Sequence, residues 1–125
     1  MHMRRINGAY LMDTARVYGE VTLGEDTNLW CGAAVRGDVA SVTIGARCNL
    51  QDGVIAHCDD DVPLVIGDDV WIGRRAMIFP GVRIGEGSII SAGSIVHRHV
   101  PPYAVVAGNP AKVMFRLKKP EGKSE

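Results

Sequence analysis

The chain has 125 residues, which is enough for one domain with its own core and too few for two. Its 14 lysines and arginines balance 14 aspartates and glutamates, so the formal charge is zero and no basic field predicts a nucleic-acid partner. No long apolar run and no charged-then-apolar leader occurs, so neither a membrane span nor a signal peptide is expected. An odd number of cysteines suits a reducing compartment and predicts a cytoplasmic location. The partners to expect are small molecules or other protein chains.

Aliphatic residues recur at every sixth position along most of the chain, and many are followed by glycine. The series is Leu11, Val17, Leu23, Leu29, Val35, Ile44, Leu50, Ile66, Ile72, Ile78, Ile84, Ile90 and Val96. This period fits neither a helix nor a long alternating strand, but it fits short strands joined by tight corners that wind into a coil. We therefore predict a single domain, residues 1–125, whose coils form a parallel β-helix over about residues 10–100. Each aliphatic side chain would point inward, and the following glycine would relieve backbone strain at a corner.

The period breaks twice, which predicts two loops, one at residues 39–41 and one at residues 57–65. Beyond the coils, Pro101 and Pro102 interrupt the pattern and Asn109-Pro110 is typical of a helix start. The apolar residues that follow, together with two lysines before a further proline, predict a short C-terminal α-helix over about residues 111–119.

The repeat of an aliphatic residue and glycine, followed by VPPYAVVAGNPAKV, resembles the hexapeptide-repeat transferases. The resemblance implies a left-handed parallel β-helix that assembles into a homotrimer, with sites between subunits. Left-handed winding is an exception to the usual crossover rule, so the resemblance alone supports it.

The N-terminal half, with VTLGEDTNLWCGAAVRGD and IGARCNLQDGVIAH, resembles the gamma-class carbonic anhydrases of that superfamily. The resemblance implies an interface ion pair between Arg36 and Asp38 and places His57 at the first zinc-histidine position. The two other zinc ligands of that family fall on Arg74 and Phe79, in a coil that is also one residue longer than the anhydrase pattern. Neither a guanidinium nor a phenyl ring can bind zinc, so we expect no metal and no anhydrase mechanism.

The C-terminal half, from VIGDDVWIGRRAMIFPGVRIGEGSIISAGSIV to GNPAKV, resembles the acetyltransferases of the superfamily. That resemblance implies acetyl-CoA as co-substrate and makes His57 a candidate general base for a small hydroxyl or amine acceptor. The intrinsic pKa of histidine suits a base near neutral pH, and Asp52 or one of the acids at positions 59–61 could orient the ring. Two alternatives stay open, namely a remnant of the zinc-ligand position and a polar residue of a turn without a role.

The acetyltransferase resemblance places five candidate CoA-binding residues in the last coils, each with a structural alternative. They are Trp71, Arg74, Ala92, Gly93 and Lys112. The tryptophan would line the acyl-donor pocket or pack at a subunit seam, and the arginine would bind a CoA phosphate or pair with a nearby acid. The small pair would offer backbone amides to the pantetheine arm or only form a turn. The lysine, one helical turn before Arg116, would bind the 3′-phosphate side of CoA or only add solubility.

His97 and His99 would face the same side of an extended strand, but no third ligand is near them in sequence, so surface histidines are the preferred interpretation. The first hypothesis is therefore an acetyltransferase that uses acetyl-CoA. The alternative is a gamma-carbonic-anhydrase-like homotrimer with a degraded zinc site and a binding or assembly role. An anhydrase built on His57, His97 and His99 is the third and weakest hypothesis.

Overall fold

The computed structural model describes residues 3–59 and 61–120 and shows an all-β parallel solenoid of about four turns. The strands of these described residues are β1 (Met3–Ile6), β2 (Ala9–Met12), β3 (Arg16–Leu23), β4 (Asn28–Leu29), β5 (Ala34–Ile44), β6 (Asn49–Leu50), β7 (Ile55–His57), β8 (Leu64–Ile66), β9 (Trp71–Ile72), β10 (Met77–Ile78), β11 (Arg83–Ile84), β12 (Ile89–Ile90), β13 (Ile95–Val96), β14 (Ala104–Gly108) and β15 (Ala111–Arg116). The predicted parallel β-helix is thereby confirmed.

Each turn contributes strand residues to three faces. The first face runs in the order β2-β4-β6-β9-β12-β14, with parallel pairs such as β6 and β9, and it carries the antiparallel strands β1 and β15 at its two ends. The long strand β5 bends from the second face to the third, because its first residues pair with β7 and its last residues pair with β8. The second face continues through β10 and β13, and the third continues through β11.

The sixth-position aliphatic residues form the core, as predicted, and those that are buried are Leu11, Leu29, Val35, Ile44, Leu50, Ile66, Ile72, Ile78, Ile84, Ile90 and Val96. The other two, Val17 and Leu23, lie on the first turn and are partly buried against the same cluster. The residue two positions earlier also points inward in most repeats and is small or medium-sized, as at Thr27 and Cys48. Each repeat therefore buries two side chains, of which the period of six revealed only one.

The glycine after the aliphatic residue has a different cause from the one expected. Gly24, Gly45, Gly67 and Gly85 stack at the corner between the third and first faces, and none of them has a positive φ. A Cβ on Gly24 would lie 2.4 Å from the backbone nitrogen of Ala46 in the next turn. The predicted relief of backbone strain is therefore wrong at this corner, where glycine is needed because successive turns are in backbone contact.

The predicted helix over residues 111–119 is wrong, since Ala111–Arg116 is a β-strand antiparallel to β14 and no helix occurs within residues 3–59 and 61–120. The hairpin turns at Asn109 and Pro110, where Gly108 pairs with Ala111. The last parallel strand would otherwise leave its backbone groups unpaired, and a returning strand satisfies them where a helix could not. Across the described residues, no helix is long and apolar enough to cross a bilayer.

Candidate functional site

His57 is the last residue of β7 and lies at the corner between the second and third faces. Its strand neighbour on the preceding turn is Arg36, and its side chain is half-buried. The predicted loop follows at once and leaves the coil, with a short bridge between Asp59 and Val62. An open groove of about 550 Å³ lies beside this loop, bordered by Val62 and His97. His97 and His99 line this groove, whereas His57 does not.

The imidazole of His57 is held in one tautomer by its own backbone. Its Nδ1 lies 2.8 Å from the carbonyl oxygen of Cys58. A carbonyl oxygen can only accept a hydrogen bond, so Nδ1 carries the hydrogen and the neutral ring has its lone pair on Nε2. The sequence had offered an acid for this role, either Asp52 or an acid at positions 59–61, of which Asp60 lies outside the described residues. The ring is instead oriented by a main-chain carbonyl.

Asp38 lies two residues beyond Arg36, the strand neighbour of His57, and is paired with that arginine. Arg36 Nη2 donates to Asp38 Oδ2 at 2.8 Å, and this hydrogen bond is the main reason that the pKa of Asp38 lies below its ordinary value. His57 makes a smaller electrostatic contribution in the same direction. The pair raises the pKa of Arg36 in turn. The structure forms this ion pair within one chain, and the pairing between subunits that the resemblance implies stays a prediction.

The donors needed for zinc do not meet around His57. Strand register puts Phe79 beside His57 on the next turn, since Ala56 pairs with Ile78 one residue earlier. The ring of Phe79 packs against His97, with ring centroids 4.1 Å apart. Among the residues that the structure describes, no three histidine, cysteine or acidic side chains are grouped to hold a metal ion. The residues present therefore do not fit the zinc site of the carbonic anhydrases.

His99 does not join His57 and His97 in a cluster. Its Nδ1 accepts a hydrogen bond of 2.9 Å from the backbone N–H of Arg83, and both His97 and His99 are exposed. Both residues were interpreted from the sequence as surface histidines, and their exposed positions agree with that interpretation.

Three of the five candidate CoA-binding residues meet at the corner between the first and second faces. The N–H of Gly93 donates to the carbonyl of Arg74 at 2.9 Å, and the backbone of Gly73 touches that of Ala92 closely. Trp71 precedes this corner by two residues and is 41% exposed on the first face. Gly93 also has open space around its Cα.

The fifth candidate, Lys112, lies on the strand that replaced the expected helix. Lys112 pairs with Ala107 at the end of the first face, and the adjacent Val106 accepts the N–H of Ser91 on the turn below. Lys112 therefore follows Ala92 and Arg74 along the same corner of the solenoid.

The acids that could have paired with Arg74 are engaged elsewhere. Arg47 donates to both carboxylate oxygens of Asp69, at 2.7 and 3.2 Å, and Asp68 accepts the N–H of Ala46 at 2.8 Å. Arg74 itself is exposed. Its side chain is thus placed where an anionic ligand could reach it.

His57 and the Arg74 corner lie at opposite edges of the second face. The chain from Arg74 to Phe79, which flanks His57, spans five residues, or up to about 16 Å at about 3.3 Å per residue. A proton-transfer base must approach its substrate to about 3 Å. Within one chain, a ligand bound only at the Arg74 corner therefore lies at the other edge of the second face from His57.

The outer side of the second face carries Arg16 on the first turn and is apolar on the turns that follow, a feature that the sequence analysis missed. Ala34, Ile55, Met77 and Ile95 lie side by side on successive turns, each just before an inward residue. Met77 is 37% exposed. The sequence already contained this pattern. In these four repeats the outward residue of the second face is always apolar, whereas the outward residues of the other two faces include polar ones.

Comparison with known proteins supports both parts of the resemblance. The family model "Bacterial transferase hexapeptide (six repeats)" matches residues 63–98. The chain is 34% identical to a protein named "Probable carbonic anhydrase" from Methanocaldococcus jannaschii, covering 88% of this chain and 81% of that protein. It is 35% identical to a carbonic anhydrase of Geobacillus kaustophilus over 70% of this chain, and it spans about half (48%) of that relative's length.

The acetyltransferase matches are more local in sequence and extensive in structure. A chloramphenicol acetyltransferase of Klebsiella aerogenes is 58% identical over 48 residues, covering 38% of this chain and 23% of that protein. A hexapeptide-repeat acetyltransferase of Vibrio cholerae, solved in complex with acetyl-CoA, superposes with a TM-score of 0.74 at 28% identity, covering 90% of this chain and 72% of the other. The chain belongs to the hexapeptide-repeat transferase superfamily, which includes both acetyltransferases and gamma-class carbonic anhydrases.

Proposed function

We propose that this protein is an acetyltransferase that moves the acetyl group of acetyl-CoA to a small hydroxyl or amine acceptor, with His57 as general base. The observation that carries the proposal is the state of His57. Its Nδ1–H is bound to the Cys58 carbonyl, so Nε2 is the proton acceptor, while Phe79 occupies the position where a zinc ligand would be needed. Acetyl-CoA in the structural relative from Vibrio cholerae supports the choice of donor.

In the proposed reaction, Nε2 of His57 takes the proton of the acceptor hydroxyl or amine as its oxygen or nitrogen attacks the thioester carbonyl carbon. The new C–O or C–N bond forms, the C–S bond breaks, and the proton on His57 passes to the departing CoA sulfur. A base of this kind contributes about 10²–10⁴-fold to the rate.

We further propose that the site forms between subunits of a left-handed homotrimer. The Arg74 corner would bind CoA on one subunit, and His57 would come from the neighbour, since one chain separates the two by the width of the second face. Packing on the second face would cover the outward row Ala34, Ile55, Met77 and Ile95, of which Met77 is exposed and the other three are partly buried.

The catalytic role of His57 is tested by comparing His57→Asn with His99→Asn in a mass-spectrometric assay of acetyl-CoA against a panel of small amines and alcohols. Asparagine keeps a donor for the Cys58 carbonyl but supplies no base. We expect His57→Asn to lower kcat about 10²–10⁴-fold and His99→Asn to change it little. Equal rates for His57→Asn and the unchanged protein would contradict the assignment.

The shared site is tested by Met77→Glu, with Thr43→Glu on the outer side of the third face as control. Light scattering should report a trimer for the unchanged protein and for Thr43→Glu, and a smaller species for Met77→Glu, because a buried carboxylate at the seam is costly. Acetyl transfer should fall with the trimer. A monomeric unchanged protein that still transfers acetyl groups would contradict a site built by two subunits.

The alternative function is a gamma-carbonic-anhydrase-like trimer without metal chemistry. It is favoured by the 34% identity to the Methanocaldococcus jannaschii protein over most of both chains. Binding of acetyl-CoA separates the two hypotheses, because the alternative gives the Arg74 corner no ligand. Elemental analysis that found stoichiometric zinc would contradict both.

A further inference from the structure

Cys58 connects the turn that carries His57 to the turn that carries Asp38. Its side chain is 1% exposed, and its Sγ lies 2.8 Å from the carbonyl oxygen of Ala40 and 3.0 Å from the backbone nitrogen of the same residue. The thiol can donate to that carbonyl and accept from that N–H. Its backbone N–H also donates to the carbonyl of Arg36 at 3.2 Å. Residue 58 is thus fastened to both ends of the segment 36–40, which includes Asp38.

The same residue determines how the imidazole of His57 is held. The carbonyl of Cys58 accepts the hydrogen of Nδ1 at 2.8 Å, so the orientation of this one peptide group fixes which ring nitrogen carries the hydrogen. The peptide lies where the chain leaves the coil for the acidic loop, and beyond it Asp59 bridges to Val62. The sulfur is the side-chain contact that holds this peptide to the underlying turn.

We infer that Cys58 is a positioning residue: through its buried thiol it fixes the Nδ1–H tautomer of His57 and holds the Asp38 segment beside that ring. The catalytic consequence rests on the proposed function, whereas the effect on the tautomer does not. An imidazole without this partner prefers the opposite tautomer in water, with the hydrogen on Nε2, which would leave Nε2 unable to take a proton from an acceptor.

The chain offers a matched control in Cys48. This cysteine is also buried, and its Sγ lies 3.0 Å from the carbonyl oxygen of Gly67. It sits at the corner between the third and first faces, away from His57. Cys48→Ala therefore removes a buried thiol and its hydrogen bond without touching the link to the imidazole. Cys58→Ser is the conservative variant, since a hydroxyl can also donate to one backbone group of Ala40 and accept from the other.

The test is nitrogen-15 NMR of histidine-labelled protein, with the His57 signals assigned from His57→Asn. We expect the unchanged protein to show a protonated Nδ1 and an unprotonated Nε2 at a pH where the ring is neutral. Cys58→Ala should shift the ring toward the Nε2–H form, Cys58→Ser should restore the original form in part, and Cys48→Ala should leave it unchanged. If Cys58→Ala does not fold, the comparison of Cys58→Ser with Cys48→Ala still measures the shift.

Three results would overturn the inference: an Nε2–H ring in the unchanged protein, an unaltered ring in both Cys58 variants, or the same shift in Cys48→Ala. Kinetics adds a second measurement, in which Cys58→Ala should lower kcat for acetyl transfer at least 10-fold without raising the KM for acetyl-CoA. Should the tautomer respond as expected while the unchanged protein transfers no acetyl group, the positioning role stands and the proposed function alone fails.

Discussion

Adding one methyl group at Gly24 should force two turns of the solenoid apart. A Cβ there would lie 2.4 Å from Ala46 N and 2.5 Å from Gly45 O, whereas ordinary contacts begin at 3.4 Å. The turns would have to separate by about 1 Å. The hydrogen bond that Gly24 N donates to Ile44 O would then lengthen from 2.8 Å to about 3.8 Å and break. Overpacking costs about 1–3 kcal/mol and the lost hydrogen bond about 1 kcal/mol, so Gly24→Ala should cost about 2–4 kcal/mol.

The control is Gly93→Ala, because Gly93 has a φ of +72° but no atom within 4 Å of the added carbon. Only the left-handed backbone is penalised there, by about 1–2 kcal/mol. These free energies are converted to a change in Tm with an unfolding entropy of about 2.1 cal/mol/K per residue. The Tm measured by circular dichroism should fall by about 8–15 °C for Gly24→Ala and by about 4–8 °C for Gly93→Ala. If Gly24→Ala is no less stable than Gly93→Ala, contact between turns is not the reason for glycine at this corner.

Three further predictions concern charge, thiols and metal. The pKa of Asp38 is lower in the folded protein than its ordinary value of about 3.9, so its ionised carboxylate stabilises the fold at any pH above that ordinary value. This contribution to stability is lost as the pH falls through the lower pKa of the folded state. Urea unfolding at a series of pH values should therefore show less acid destabilisation in Asp38→Asn, and identical acid profiles would contradict the pair with Arg36. Burial raises the pKa of the Cys48 thiol, and Cys58 is also buried. A thiol reagent at neutral pH should therefore label Cys31 in the folded protein, and it should label Cys48 and Cys58 only after unfolding. Early labelling of Cys48 would show that its corner opens. Chelator treatment should leave the Tm unchanged, and a clear fall would reveal a structural metal.

The coils could be predicted because their cause is local and repeated. Residues such as Leu29, Leu50 and Ile72 are buried as the period of six requires, and register then stacks them turn on turn. The prediction of a C-terminal helix was wrong because Val113, Met114 and Leu117 form a weak apolar pattern that does not exclude a strand. The unpaired edge of β14 decided the outcome, and that edge exists only once the solenoid has formed.

The site could be predicted only in part. His57 was found through the resemblance, but its neighbours were not, because the turns differ in length. Arg36 and His57 are 21 residues apart in register, whereas the turn from Ile78 to Val96 takes 18. No fixed period could therefore place Arg36 beside His57, and no local pattern predicts a hydrogen bond from an imidazole to the next carbonyl.

The proposed function requires that the chain bind acetyl-CoA at the Arg74 corner and transfer the acetyl group of that ligand. The most direct test is calorimetric titration of acetyl-CoA and CoA into metal-analysed protein, repeated on Lys112→Ala with Lys118→Ala as control. We expect saturable binding of both ligands that Lys112→Ala weakens and Lys118→Ala does not, because Lys112 lies along that corner. The absence of binding in metal-free, folded protein would contradict it and leave the non-catalytic trimer as the better hypothesis.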